Sequence, residues 1–550
     1  MASTQNSQTG LFWTPRGGNN AKAIWASCHT FSSVTENKET GKIEKSTILV
    51  DMGQNEMPQD FHGGKYEKVV PVLDDCLSVP GCKTPENEAQ AIFLTHCHSD
   101  HIAGIFEYLK MGAKLPPVYG SEYTIKALRK ELMDNGIKRD QWPELKPIKA
   151  GEVVQIGNMQ VEAFTASHSI PGCFSFKISN DEASIFHSGD TKADETSFLG
   201  NGVDMSAYDR IGSVDLMTFD ATATNKLGHA TYEAEIFEAY KELFEENPDR
   251  QIIAVLPAAH MERLASVISA AQAVGKDVLI DGGASMESNV MALELGGFNL
   301  QEKCPDIQVV SSKSGMDALM DHDRSVTITT GIYGEPNSPF IQKLIGANDR
   351  FAIRDNAVII TPSTGGGAER LNDLLEIYAP DGVSFITANE RNIYGSGHAQ
   401  ADDFVKIAGH IHPKTVSPIH CTRVMAENFN QLASQNGYQT LPDYPHNGCT
   451  VQVDKTGCRV ISEKEPAWFG LNHEKQADGS VKTSVARLND DGYSTEKDAA
   501  AMDRASQSKK AEKIEERQAI ASEKIADYRR KETAKKMVGA ELKRRRSNEY

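Results

Sequence analysis

The sequence predicts an α/β protein in two parts: two sheets covered by helices, then a parallel sheet alternating with helices. Three observations carry this prediction. Short β-rich runs separated by turn residues fill the chain to about residue 224. From about 225 to 386, continuous apolar runs alternate with amphipathic segments, the pattern of strands buried on both faces. The end of the chain is polar and charged and lacks a sustained apolar stripe.

In chain order, residues 23–28, 46–51 and 91–95 read as strands, with Gly17-Gly18 and Gly63-Gly64 as turn punctuation. Residues 102–109 and 122–135 read as helices, and 153–156, 160–165, 173–178 and 184–187 as further strands. In the second part the strands are 252–256, 278–280, 326–330, 357–361 and 383–387, and Met261, Leu264, Ile268 and Ala271 mark one face of an intervening helix. A helix over 402–410, a strand over 415–419 and a helix over 427–436 follow. Beyond Cys458 a charged, partly helical tail is expected, and no repeat of fixed period occurs.

Composition narrows the classes of function. A chain of 550 residues exceeds one domain. No apolar run reaches the length of a membrane span, and residues 1–10 are polar and uncharged, so a cytoplasmic protein is expected. Nine scattered cysteines without a CxxC pair indicate reduced thiols. A net charge of −18 excludes coating nucleic acid by bulk attraction, yet metal ions and a local basic groove can hold phosphates in an acidic protein. From Lys509 onward basic residues exceed acidic ones by about six, ending in Lys543-Arg544-Arg545-Arg546. That tail reads first as a solvated charged helix, with contact to RNA or a protein partner as the alternative.

The chemistry concentrates in Thr95-His96-Cys97-His98-Ser99-Asp100-His101, directly after an apolar strand. Residues two apart on extended backbone share a side, so His96 and His98 converge on one ion while the turn delivers Asp100 and His101 to a second. Cys97 points the other way and reads as packing. His168, Asp190 and His420 also follow apolar strands. A carboxylate at Asp190 could bridge two ions, which neutral imidazoles cannot do.

These residues resemble the metallo-β-lactamase fold: its HxHxDH loop matches His96 to His101, its strand-end Asp matches Asp51, and its later His and Asp match His168 and Asp190. The resemblance implies a four-layer αβ/βα sandwich with a binuclear centre in which Asp51 braces the loop and binds no metal. The second part narrows the match to the β-CASP nucleases, whose motifs correspond to Asp220 in Leu216-Met217-Thr218-Phe219-Asp220, His398 in Gly395-Ser396-Gly397-His398-Ala399, and His420. Within that group Thr330-Gly331-Ile332-Tyr333-Gly334-Glu335-Pro336 and Ser285-Met286-Glu287-Ser288 look most like ribonuclease J. The implied domains are 1–224 and 387–460 for the metallo-β-lactamase part, 225–386 for the β-CASP insertion and 461–550 for the extension.

The resemblance implies a metal-dependent ribonuclease leaving 5′-phosphate and 3′-hydroxyl ends, endonucleolytic, 5′-to-3′ exonucleolytic or both. His96, His98 and His168 are expected on one ion, Asp100, His101 and His420 on the other, with Asp190 between them. Zinc suits this His-rich set and manganese is the second candidate. Asp100, Asp220 and His398 are the expected catalytic residues. Ser285, Ser396, Gly397, His398 and Ala399 are the expected substrate-binding positions. Histidine rather than valine at 420 favours RNA.

The family's usual pattern has His at Tyr394, Ser at Gln400 and Arg at Ala284, which leaves recognition of a 5′-monophosphate open. Its compact C-terminal domain is replaced by the charged tail, which leaves a homo-oligomer open too. A single-stranded DNA nuclease, a thioesterase- or lactonase-type hydrolase and a non-enzymatic RNA-binding scaffold are the competing readings. The turn Ser363-Thr364-Gly365-Gly366-Gly367 reads either as a phosphate cradle or as a plain strand-to-helix connection. His187, His260, His410 and His412 are assigned structural or surface roles.

Overall fold

In the strand Leu216–Asp220, Leu216 belongs to one apolar cluster while Met217 and Phe219 belong to another, the alternation of a strand covered on both faces. The first cluster also holds Trp13, Phe31, Phe93, Phe176, Ile185 and Val451 from two sheets, and the second adds Phe404, Ile407 and Phe429 from helices. A sheet-on-sheet core with helices outside follows from that alternation. In the computed structural model the described residues are 9–20, 24, 26–56, 66–80, 82, 84–85, 87–200, 202–295, 297–298, 300, 307–309, 325–347, 352–363, 365–442, 444–464, 467–475 and 481–488.

The first sheet has eight strands in the order Gly457–Glu463, Cys449–Asp454, Gly10–Gly17, Cys28–Glu36, Ile43–Val50, Ala91–Phe93, Val118–Gly120, Leu145–Pro147. The second has seven: Gln439–Thr440, Thr415–Ile419, Leu216–Asp220, Ser184–His187, Cys173–Ser179, Met159–Ala166, Val153–Ile156. The third has six parallel strands, Ile307–Val309, Asp277–Ile280, Ser325–Thr329, Ile252–Val255, Val358–Thr361, Ser384–Thr387. Its two faces are covered separately. Ile252, Ala254, Val326 and Ile328 pack on the helices Glu233–Glu245 and Met261–Ala273, while Ile253, Val255 and Ile359 pack on Pro339–Leu344 and Gly365–Tyr378.

The expected α/β sandwich with its added parallel sheet is therefore present, and the differences from expectation have physical reasons. The strand Gly10–Gly17 escapes sequence reading because Pro15 and Gly17 look like breakers. Pro15 lies beyond residues 11–13, which pair with Cys449–Asp454, and the register with Cys28–Glu36 shifts between Pro15 and Gly17. Residues 102–109 form two short helices, Ser99–Ile102 and Gly104–Lys110. The expected extension from 461 is not all tail. The strand Gly457–Glu463 runs past its start, and Trp468–Lys475 and Val481–Leu488 form an antiparallel hairpin with Trp468 and Leu471 buried.

The chain divides into two units, one of Met1–Asn55 with Val70–Pro466 and one of Glu56–Val69 with Ala467–Tyr550, so the parallel sheet is not a unit apart from the other two sheets. The expected basic tail lies outside the described residues. No helix among the described residues is long and apolar enough to cross a membrane.

Phe176 is fully buried and meets the Phe93 ring edge-on at 5.5 Å between centroids. Phe176→Ala is expected to cost about 3–5 kcal/mol, read as a lower urea midpoint, whereas Val153→Ala at a half-exposed position shifts stability by no more than about 0.5 kcal/mol.

Candidate metal centre

Parallel neighbours end together, so whatever follows their C-terminal ends is gathered at one rim. Ser184–His187, Leu216–Asp220 and Thr415–Ile419 run parallel, and Asp190, Asp220 and His420 stand at their ends. Ile43–Val50 and Ala91–Phe93 do the same for Asp51 and the His96 loop. All these residues fall in the first unit.

Asp51 is buried with φ of 60°. Its carboxylate accepts from the Thr95 N–H (2.8 Å), the Thr95 hydroxyl (2.7 Å) and His101 Nδ1 (2.7 Å). His101 Nε2 is thereby left as the free ring nitrogen, 3.3 Å from Asp190 Oδ2 and 3.8 Å from Asp100 Oδ2. Backbone wiring completes the loop: Ser27 N–H donates to Asp100 O at 2.7 Å and Met52 N–H to His101 O at 2.7 Å. A Cβ at Gly53 would fall 1.7 Å from Asp100 O, so only glycine fits there.

His96, His98 and His168 place one nitrogen each within 4.8 Å of one another, and Asp100, His101 and His420 form a second such trio. His168 Nδ1 donates to Gly397 O at 2.7 Å, directing Nε2 toward His98. His98 Nε2 meets the Ser169 hydroxyl at 3.2 Å. Asp190 is central, with Oδ2 at 3.9 Å from His96 Nε2 and 3.8 Å from His168 Nε2, and Oδ1 at 3.7 Å from His420 Nδ1. His420, with φ of 51°, bonds through Nδ1 to the Thr222 hydroxyl at 2.9 Å and lies 3.4 Å from Asp100.

The donors suit divalent cations. Burial and neighbouring imidazoles push His96 and His168 well below the usual imidazole range, and burial pushes His98 down to about 4, so all three are neutral as ligation requires. Burial alone would raise Asp100 and Asp190, but His101 and His420 hold both carboxyls well below the usual range. His101 Nε2 and Asp190 Oδ1 are buried donor atoms without a hydrogen-bond partner, as expected of atoms that serve an ion.

His398 lies on the same rim. Its Nδ1 donates to Asp220 Oδ2 at 2.8 Å, and Asp190 Oδ2 is 3.8 Å away. Burial opposes its charge, yet Asp220 with Asp190 and Asp100 lifts it to about 9 among these protein groups. Ser396 accepts the His398 N–H, and Gly397 holds His168 through its carbonyl. Ala399 is fully buried, its N–H bonded to Thr191 O, and so shapes the loop from the core. Ser285 is exposed in the helix Gly283–Leu295 and belongs to neither trio. The roles given to Cys97, His187, His260 and His410 accord with packing, a buried bond to Thr218, a helix cap and an ion pair with Asp209.

Sequence reading missed the residues that hold the ligands. Asn19 accepts the His420 N–H through Oδ1 at 3.1 Å, donates through Nδ2 to Pro418 O and Pro445 O, and exchanges bonds with Asn447. Arg263, fully buried, donates to Ile393 O (3.1 Å) and Gly395 O (3.3 Å) and pairs with both oxygens of Glu233. Lys192 and Asp194 close this buried network, with Lys192 Nζ 3.0 Å from Asp194 and 3.4 Å from Glu233. Asn, Thr and Arg at such positions carry no local motif, so no sequence signal marks them.

The family model described as a beta-lactamase superfamily domain matches residues 74–251. Ribonuclease J of Mycolicibacterium smegmatis is 28% identical over 340 residues, 61% of this chain and 59% of that protein. Ribonuclease J of Thermus thermophilus is 27% identical over 421 residues, 72% of each chain, and ribonuclease J2 of Bacillus subtilis is 26% identical over 357 residues, 64% of this chain and 62% of that one. The chain thus spans less than two thirds of the length of several of these relatives. A solved Enterococcus faecalis protein of unknown function shares the fold, with a TM-score of 0.55, 18% identity and coverage of 79% of this chain and 98% of that one.

Burial alone would raise the Glu233 carboxyl; Arg263 and then Lys192 hold it well below the usual range. A depressed acid contributes stability that is complete above its unfolded pKa and lost as pH falls through the folded one. Urea midpoints should therefore fall below about pH 5 in the native protein, and Glu233→Gln should lower the midpoint at pH 7 while flattening that acid limb.

Proposed function

We propose that this chain, a ribonuclease J-like protein of the metallo-β-lactamase fold, is a metal-dependent ribonuclease that hydrolyses RNA phosphodiester bonds to 5′-phosphate and 3′-hydroxyl ends. The observation that carries the reading is His398 bound to Asp220 on the rim of the His/Asp cluster. A thioester's departing thiolate is a weak base and needs no proton-bearing imidazole beside the donors, whereas a departing 3′-oxygen does.

Two divalent cations, zinc first and manganese second, would be held by His96, His98 and His168, by Asp100, His101 and His420, and by Asp190 between them; when bound they neutralise phosphoryl charge and activate water. The chain's own groups do the rest. Asp51 orients His101, and Gly397 orients His168, so each presents Nε2. Asp220 accepts the Nδ1 proton of His398, leaving Nε2–H as the donor. As water oxygen joins phosphorus, releasing a proton to solvent, and the bond to the 3′-oxygen breaks, His398 Nε2 gives that oxygen its proton. The acid then regains a proton from solvent, and Asp220 keeps the ring in place throughout.

Cys28, Cys76, Cys97, Cys173, Cys421 and Cys458 carry free thiols, in keeping with work in a reducing cytoplasm. Ala284, Tyr394 and Gln400 alter the neighbourhood in which the family meets its substrate end, so the terminus required is decided by experiment.

Labelled single-stranded RNA with a 5′-phosphate, with a 5′-hydroxyl and in circular form should be incubated with and without chelator. Cleavage that stops on chelation and returns with zinc or manganese is expected, and a cut in the circle identifies endonucleolytic action. His98→Ala should abolish cleavage while retaining RNA on a filter. Absence of cleavage together with turnover of a thioester would overturn the reading, and DNA cleaved in preference to RNA would reassign the substrate. His398→Ala should lower kcat by about 10²–10⁴-fold in single-turnover assays.

A further inference from the structure

Arg263 grips the carbonyls on either side of Tyr394, those of Ile393 and Gly395, with one guanidinium. Gly395 is packed so closely that a Cβ there would meet Thr231 O at 2.5 Å and Arg263 Nη2 at 2.9 Å. The backbone under Tyr394 is therefore rigid. Its side chain nevertheless remains 38% exposed, although Ile393 beside it is fully buried. A rigid backbone presenting a half-exposed ring is an economical binding element, because few torsions need to be ordered on contact.

The surroundings of that ring are apolar and cationic. Lys226 Nζ lies 5.7 Å from the Tyr394 ring centroid, and the next residue, Leu227, is 91% exposed. Tyr333, 58% exposed, comes from the loop after the parallel strand Ser325–Thr329. Burial and then the neighbouring Tyr394 and Glu335 push its phenol up. Beside Tyr333, the exposed Arg370 lies against Gly334, where a Cβ would meet its Cγ at 3.3 Å. In a chain of net charge −18, cations beside two exposed rings suit an aromatic ligand that carries phosphates.

Three residues lie between Tyr394 and His398, so the four steps from one Cα to the other span at most about 14 Å. We propose that Tyr394 and Tyr333, with Lys226, form a stacking subsite for an unpaired nucleobase of the RNA strand next to the scissile phosphate. This inference rests on the ribonuclease reading. The ring faces supply sequence-tolerant stacking and the Lys226 ammonium faces the backbone. Duplex RNA, whose bases are already stacked, cannot use the subsite without unpairing.

The test scans a defined single-stranded RNA oligonucleotide with one abasic ribose at each position around the cleavage site, using the full chain loaded with metal. The native enzyme should lose about 5- to 100-fold in kcat/KM at one abasic position. Tyr394→Ala should lose a similar factor on intact RNA and nothing further when that same base is missing, while Tyr394→Trp restores the native rate. Tyr333→Ala should show the same non-additivity. If Tyr394→Ala lowers cleavage of intact and abasic RNA by equal factors, the tyrosine only supports the loop and the subsite is overturned. If native cleavage is insensitive to every abasic position, the subsite is overturned while the ribonuclease reading stands. If the native enzyme cleaves none of the oligonucleotides, both fall together.

Discussion

Asp51 is the constraint on which the centre depends. A non-glycine residue in left-handed backbone costs about 1–2 kcal/mol, and this one is also a buried carboxylate. Three hydrogen bonds, two from Thr95 and one from His101, offset that cost. In return, one side chain fixes both ends of the ligand loop: Thr95 immediately before His96, and His101 at its close. The carboxylate binds the loop because the parallel strands carrying Asp51 and Thr95 end side by side. Sheet register is thus converted into ring orientation.

Much of this was legible in the residues. Apolar runs located the strands because a strand buried on both faces must be apolar throughout, as 252–255 and 358–361 are. The ligand trios were legible because His, His, Asp and His within six positions leave few structural alternatives. What stayed hidden was non-local or contrary to local rules. The strand with Pro15 contradicts propensity, and Pro15 is tolerated because it lies beyond residues 11–13, the stretch that pairs with Cys449–Asp454. Trp468, Phe469 and Leu471 are buried on a hairpin within a segment whose composition is largely polar. Ala399 looked like part of an exposed turn, yet Thr191 O and the surrounding core take it inside. Such placements depend on partners hundreds of residues away.

The buried ionic network shows how the parallel-sheet segment reaches the centre. Glu233 and Arg263 stand on helices covering the parallel sheet, Lys192 and Asp194 follow Asp190, and the carbonyls that Arg263 holds precede His398. Replacing one member would leave a buried charge unpaired, which is more costly than the intact network is favourable. Specific geometry is the gain: the guanidinium fork meets the Glu233 carboxylate and two backbone carbonyls at once. The loop that carries His398 therefore shares its anchoring with the segment that carries Asp190.

Asn19 gives the assembly an order in time. Its side chain accepts the His420 N–H across 401 residues of sequence, and it exchanges bonds with Asn447. During synthesis the loop with His96 leaves the ribosome 324 residues before His420, an interval of about 16–65 s at 5–20 residues per second. Once His168 has followed, the nascent chain holds one trio of imidazoles but lacks His420 of the other and the Asn447 that pairs with Asn19. The second trio and the residues that place its last member are therefore brought together only when translation is nearly through this region.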